Sequence, residues 1–177
     1  GELIDSIVFG DQSPDVSFGR LPDGGPDWQY LQVPTPADVN IADPAEVPVL
    51  FINELMASNT STIEDPDAPG EFEDWFEILN SDVTDRDLGG MYLSDDPENL
   101  LMWQVPEGTI AEAGSPLIFW ADDDEDDGPT HVNFKLSAAG DQVILTDTDG
   151  VTIIDQIDFA GQIADVSWHR YPDATPN

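Results

Sequence analysis

The chain has no cysteine. A disulfide framework and a thiolate-ligated zinc site are therefore excluded, and cysteine usage gives no sign of the redox compartment. Bases are nearly absent as well: Arg20, Arg86, Lys135 and Arg170 are the only four, against 38 acids. Binding to nucleic-acid phosphates requires the opposite balance, so that class is set aside. Anionic membrane surfaces are disfavoured for the same reason. No apolar run approaches the roughly 18–20 residues of a membrane-spanning helix, so membrane insertion of that kind is not expected. No segment repeats apolar residues at i, i+3, i+4 and i+7 over three turns, so at most single helical turns are expected, near Asn53–Ser58 or Pro97–Leu101. Histidine is scarce too: His131 and His169 are the only two.

What is abundant is negative charge. The net charge is −34, and 27 of the acids are Asp against 11 Glu, a bias that suits loops and turns better than helices. Two consequences are expected, and they are compatible. One is a solvated acidic surface suited to salty water, where screening relieves self-repulsion. The other is Ca²⁺ binding by some of the carboxylates. In either case added cations should stabilise the fold.

The chain also repeats itself. Residues 1–27 align without a gap on residues 151–177 at an offset of 150, and 12 of the 27 pairs are identical. Leu3-Ile4-Asp5-Ser6-Ile7-Val8-Phe9 matches Ile153-Ile154-Asp155-Gln156-Ile157-Asp158-Phe159, and Asp15 to Asp23 matches Asp165 to Asp173. A period of this size marks a repeated domain. The sequence is therefore expected to start inside one copy and to stop inside the next, just before the counterpart of Trp28.

Residues 1–33 read as strand, turn, strand, with Trp28 to Val33 alternating cleanly after the turn cluster Pro22-Asp23-Gly24-Gly25-Pro26-Asp27. Residues 34–48 carry four prolines and read as a linker able to span roughly 40 Å at about 3.1 Å per residue. A second unit, 49–177, contains many short apolar runs: Val49–Ile52, Asp74–Asn80, Met91–Leu93, Met102–Val105, Pro116–Trp120, Val132–Leu136, Gln142–Thr146 and Thr152–Ile157. The last two flank Asp147-Thr148-Asp149-Gly150 as a hairpin. Short strands with frequent turn signals predict an all-β sandwich or barrel.

At this point the residues resemble a known family. Ile52-Asn53-Glu54-Leu55-Met56-Ala57-Ser58-Asn59, Glu73-Asp74-Trp75-Phe76-Glu77-Ile78-Leu79-Asn80, Asp87-Leu88-Gly89-Gly90-Met91-Tyr92-Leu93-Ser94-Asp95-Asp96, Trp103-Gln104-Val105-Pro106-Glu107-Gly108, Asn133-Phe134-Lys135-Leu136-Ser137 and Asp147-Thr148-Asp149-Gly150 follow in order. Together they resemble the lamin tail domain in the form found in secreted prokaryotic proteins, over about Val49–Asn177. The resemblance implies an immunoglobulin-like β-sandwich, no catalytic residues, a binding or scaffold role, and an extracellular or cell-surface location.

Several side chains deserve individual expectations. Asp122, Asp123, Asp124 and Asp126, joined by Asp95 and Asp96, are the expected metal ligands. The loop is not an EF-hand, because its twelfth position is Phe134 rather than Glu. Neither His has a nucleophile motif beside it, and no two carboxylates stand out as a hydrolytic pair. Arg20 and Arg170 are equivalent by the repeat and are expected to lock their turns to a carboxylate, with Asp15/Asp165 and Asp23/Asp173 nearest. Lys135 is expected in a partly buried ion pair. Glu54, Glu73, Asp74 and Glu77 are expected to bond backbone at strand ends, and Trp75, Trp103, Trp120 and Trp168 to enter the core. Residues 1–33 cannot bury their apolar faces alone. Ile7, Phe9, Phe18, Trp28, Tyr30 and Leu31 are therefore the expected interface with another copy of the chain, added end to end as in a filament.

Overall fold

The computed structural model describes residues 6–11, 14, 16–31, 34–37, 40 and 49–174, and the chain divides into two compact units that part at Pro48/Val49. In the smaller unit, β1 (Ser17–Arg20) and β2 (Trp28–Leu31) form an antiparallel hairpin, with Phe18 opposite Tyr30 and Arg20 opposite Trp28. Phe18 stacks on Trp28 at 5.7 Å and tilts against Tyr30 at 4.9 Å. The Arg20 guanidinium lies 4.9 Å over the Trp28 ring and donates to the Gly25 carbonyl at 2.8 Å. Gly24 holds φ at +72°, which the tight return requires of a residue without Cβ. Residues 6–11 are not in a strand, contrary to the reading of Leu3–Phe9. In the second copy this stretch pairs with a strand from the heart of the sandwich (Gly140–Thr146), and residues 1–48 contain no counterpart of that partner. Leu3–Asp5, the Gln32-Val33 end of the second strand and most of the linker's Pro-rich end (residues 41–48) lie outside the described residues.

The larger unit carries ten strands: β3 (Leu50–Met56), β4 (Trp75–Asn80), β5 (Arg86–Asp87), β6 (Tyr92–Ser94), β7 (Trp103–Gln104), β8 (Ile110–Ala111), β9 (Pro116–Trp120), β10 (Gly140–Thr146), β11 (Ile153–Ala160) and β12 (Trp168–His169). They make two four-stranded antiparallel sheets, ordered β12-β3-β4-β9 and β11-β10-β6-β7, with β5-β8 as a small third ladder. The core is what period-2 alternation delivers from both sheets. Phe76 and Ile78 point inward from β4, Phe119 from β9, Leu93 from β6, Val143 and Leu145 from β10, and Ile157 and Phe159 from β11. Phe76 stacks between Phe119 (5.6 Å) and Phe134 (6.3 Å). Leu88, in the connection after β5, is fully buried. Trp75, Trp103 and Trp120 are buried and Trp168 is half-buried, so the indoles serve packing.

β3 runs longer than its sequence suggests. It continues to Met56, where a helical turn was the expectation, because a bulge between Ile52 and Glu54 resets the alternation. Core positions therefore step from Ile52 to Leu55, three residues apart, and Met56 joins Trp75 and Trp120 on the other face. No helix occurs among the described residues, at Pro97–Leu101 or elsewhere. Val132–Leu136 also differs from expectation. Val132, Phe134 and Leu136 are buried as the alternation implies, but the segment forms no ladder: its backbone pairing is by isolated bridges, Trp120 to His131 and Asp122 to Lys135. Lys135 itself is exposed rather than partly buried.

Candidate functional sites: an acid–histidine cluster and an open sheet edge

The first site grows out of the end of β9. Trp120 takes a hydrogen bond from Val132 N–H and donates its own N–H to Thr130, which draws residues 130–132 alongside the strand. This places His131 on the Trp120 face, rings 6.5 Å apart and nearly parallel. Gly128 packs on the imidazole: a Cβ there would come within 3.1 Å of Cδ2 of His131 and would require the ring to give by a few tenths of an ångström. His131 is fully buried, and its Nδ1 lies 2.5 Å from Oδ2 of Asp122 and 3.8 Å from Oδ2 of Asp65. Its Nε2 lies 3.4 Å from Oδ2 of Asp67. Asp65, Asp122, Asp127 and His131 each present one ligand atom, and these atoms lie within 4.8 Å of one another, so the cluster could hold a metal ion.

The carboxylates are held in place by backbone. Asp65 Oδ1 accepts from Asp67 N–H at 2.8 Å, and Asp122 Oδ1 accepts from Asp124 N–H at 3.1 Å. In each case Oδ2 is left pointing at the imidazole. Asp65 Oδ2 is buried and accepts no hydrogen bond. Burial acts to lower the His131 pKa, but the hydrogen bonds to Asp122 and Asp67 and the charges of Asp122 and Asp65 outweigh it, and the net shift is upward. Asp127 is raised by desolvation and by the neighbouring Asp124, Asp122 and Asp65.

Of the expected ligands, Asp122 lies in this cluster. Asp123, Asp124 and Asp126 are exposed in the same loop but contribute no ligand atom to it. Asp95 and Asp96 follow β6 in the opposite sheet. Asp95 is raised by burial and by Asp141, and Asp96 caps the Glu98 N–H at 2.9 Å. Asp65, Asp127 and His131 are not among the expected ligands: Asp65 lies in a separate loop that only the fold brings near, whereas Asp127 and His131 end the same loop as Asp122, and no sequence feature sets them apart from its other acids and polar residues. Asp74 does bond a backbone N–H, that of Asn59 at 2.9 Å, whereas Glu77 bonds the Asn53 side chain at 3.0 Å.

The second site is the edge formed by β12. Trp168 pairs with Leu55 and His169 with Glu54 of β3, and Arg170 N–H donates to Asn53 C=O at 2.9 Å. Arg170 is buried, and its carboxylate partner is Asp155 rather than Asp165 or Asp173. Its Nη2 reaches both Asp155 oxygens at 2.9 and 2.8 Å, and its Nε donates to Ile52 C=O at 2.8 Å. Burial pushes the Asp155 pKa up, and the Ile52 N–H (2.7 Å) and Arg170 pull against it. Asp165, at φ +61°, accepts from the backbone of Thr60 and Ser61 and from the hydroxyls of Thr60, Ser61 and Thr62, which holds its carboxyl well below the usual range. Residues 155, 165 and 170 thus clamp the last strands of the unit to residues 52–62.

Alternate residues of an antiparallel strand turn their N–H and C=O to opposite edges. Since Arg170 faces β3, His169 faces outward. In the first copy, Leu21 N–H donates to Asp27 C=O on the β2 side, so Gly19, two residues earlier and the counterpart of His169, faces β2. Among the described residues no strand pairs with the outer edge of β12, and this is the edge that β2 covers on β1.

Among the six expected interface residues, Ile7, Phe9 and Tyr30 are exposed, Phe18 and Trp28 are half-buried, and Leu31 is buried at 2% exposure. Ile7, Phe9, Phe18 and Trp28 line a cleft of about 370 Å³ in the smaller unit.

Two antiparallel sheets packed face to face around one apolar core define an immunoglobulin-like β-sandwich. The chain belongs to the lamin tail domain family, whose model matches residues 44–161. That family is non-enzymatic and immunoglobulin-like, compatible with a structural or binding module. The match ends before β12, so Asp165 and Arg170 of the clamp lie beyond it, while Asp155 lies within it. No curated protein matches the chain. Among the described residues no helix is long and apolar enough to cross a membrane.

Proposed function

We propose that the chain is a non-catalytic structural repeat of an extracellular protein built from tandem sandwiches, joined end to end by strand addition into a filament. The observation that carries this reading is the recurrence of the clamp. Asp155, Asp165 and Arg170 fasten the last strands of the sandwich to residues 52–62, and their counterparts Asp5, Asp15 and Arg20 are identical in the first copy. No second set of strands for those counterparts to close occurs in the sequence. Residues 1–31 therefore match a preceding sandwich, and the open edge of β12 matches a strand of the Trp28–Leu31 type.

By the repeat offset, such a strand would set Trp28 opposite Arg170, Gln29 opposite His169, Tyr30 opposite Trp168 and Leu31 opposite Ser167. A head-to-tail contact of this kind does not close on itself and propagates. Within a continuous tandem polypeptide the same geometry arises along one chain. The other reading, a Ca²⁺-dependent module tethering a secreted enzyme to a polymer or cell surface, is less well supported. The carboxylates that converge do so around an imidazole, and Ca²⁺ takes oxygen donors. Deleting residues 1–33 tests strand donation. Light scattering and sedimentation should show assembly of the parent and a monomeric shortened chain; equal assembly by both would rule out donation between copies.

A further inference from the structure

We propose that Asp65, Asp122, Asp127 and His131 form a binding site for a first-row transition dication, of the Zn²⁺ or Mn²⁺ kind, that ties the loop between β3 and β4 to the loop that leaves β9. An acidic cluster alone would not carry this. Two features of the geometry do. Asp65 is fully buried, and its Oδ2 points at the cluster without accepting a hydrogen bond, a state that leaves a carboxylate oxygen uncompensated. The second carboxylate oxygen of both Asp65 and Asp122 is fixed by a backbone N–H, so the free oxygens are already oriented toward one point.

The donor chemistry selects the ion. Three carboxylate oxygens and one imidazole nitrogen suit borderline first-row metals, whereas Ca²⁺ and Mg²⁺ favour all-oxygen shells. His131 presents Nδ1 to Asp122 and Asp65, while Nε2 faces Asp67 Oδ2 at 3.4 Å. With the proton on Nε2 donated to Asp67, the Nδ1 lone pair faces the site. This is the outer carboxylate that metal-ligating histidines commonly use to fix their tautomer. In the metal-free protein the 2.5 Å contact of Nδ1 with Asp122 is the hydrogen bond that the ion would replace. Asp127, the exposed member, is the entry side. Three carboxylates and a dication leave one net negative charge, against three without the ion.

The experiment is calorimetric titration of the chelator-stripped full chain with ZnCl₂, MnCl₂ and CaCl₂ at matched ionic strength, together with thermal melts. One equivalent of Zn²⁺ or Mn²⁺ should bind saturably, at least about tenfold tighter than Ca²⁺. At saturation it should raise Tm by roughly 5–10 °C. Asp127→Asn alters an exposed side chain and leaves the fold intact by circular dichroism, yet it should weaken binding about tenfold or more, as should Asp65→Asn. Asp126→Asn, in the same loop but outside the cluster, should leave the affinity unchanged. The proposal is overturned if no single-equivalent binding occurs, if Ca²⁺ binds as tightly, or if Asp126→Asn weakens binding as much as Asp127→Asn does.

Discussion

Replacing Arg170 with alanine should destabilise the larger unit by roughly 3–5 kcal/mol, lowering Tm by roughly 10–20 °C. The side chain is 3% exposed and Asp155 11%, so solvent screens the pair little. Truncation leaves the Asp155 carboxylate half-buried beside Ile52 N–H with no cation, leaves Ile52 C=O without its Nε donor, and uncovers the Phe51 ring over which the guanidinium lies at 5.7 Å. The unmatched charge is the largest of these losses. Arg170→Met combined with Asp155→Asn should therefore cost less than the two single changes added together, because an asparagine oxygen still accepts from Ile52 N–H and no charge is stranded. Urea melts of the four proteins in a double-mutant cycle check this. An Arg170→Ala protein within 1 kcal/mol of the parent would mean that the clamp contributes little to the fold.

Phe76→Ala should cost a similar amount, roughly 3–5 kcal/mol. Phe76 is fully buried at the centre of the stack formed with Phe119 and Phe134, between the β3-β4-β9 sheet and the 132–136 segment. The cavity opens where three rigid rings meet, and Trp103, edge-on to Phe119 at 6.1 Å, limits their collapse. Phe76→Leu, which keeps most of the volume, should cost less than half as much. Val83→Ala, at a position 90% exposed, should stay within about 0.5 kcal/mol of the parent. Equal losses for Phe76→Ala and Val83→Ala would contradict the packing described.

Much of the sandwich is legible in the sequence because its longer strands stand out as short apolar runs between turn signals. β4, β9, β10 and β11 fall on such runs, and the Asp-x-Asp-Gly turn joins the last two. β5 and β8 escape notice because two-residue ladders carry no period. The bulge in β3 hides that strand's true length, since it breaks the alternation at the residue where Asn53 C=O receives Arg170. The repeat pointed to Arg170 but not to its partner. Asp165 and Asp173 are the acids nearest in sequence, whereas the sandwich brings β11 and its Asp155 across to β3. The identity of Asp5 with Asp155 was the signal that could have found it. The acid–histidine cluster was half legible. Asp122 belongs to the conspicuous acidic run, but Asp65 enters from a loop 57 residues earlier, and His131 has no neighbouring sequence feature that marks it as a ligand.

The central claim is that β12 presents the edge that a Trp28–Leu31 strand covers. The most direct measurement appends Trp-Gln-Tyr-Leu-Gln-Val, the residues 28–33, after Asn177 and follows amide hydrogen exchange at His169. The Leu31-type side chain, whose Cδ1 lies 2.9 Å from where a Cβ on Gly19 would be, must rotate past the His169 Cβ, which a flexible chain end can do. If the account is right, the His169 amide, which faces the open edge, slows by at least about tenfold as it enters a ladder bond, while the Arg170 amide, already bonded to Asn53, changes little. Unchanged exchange at His169, with an unchanged Tm, would contradict it.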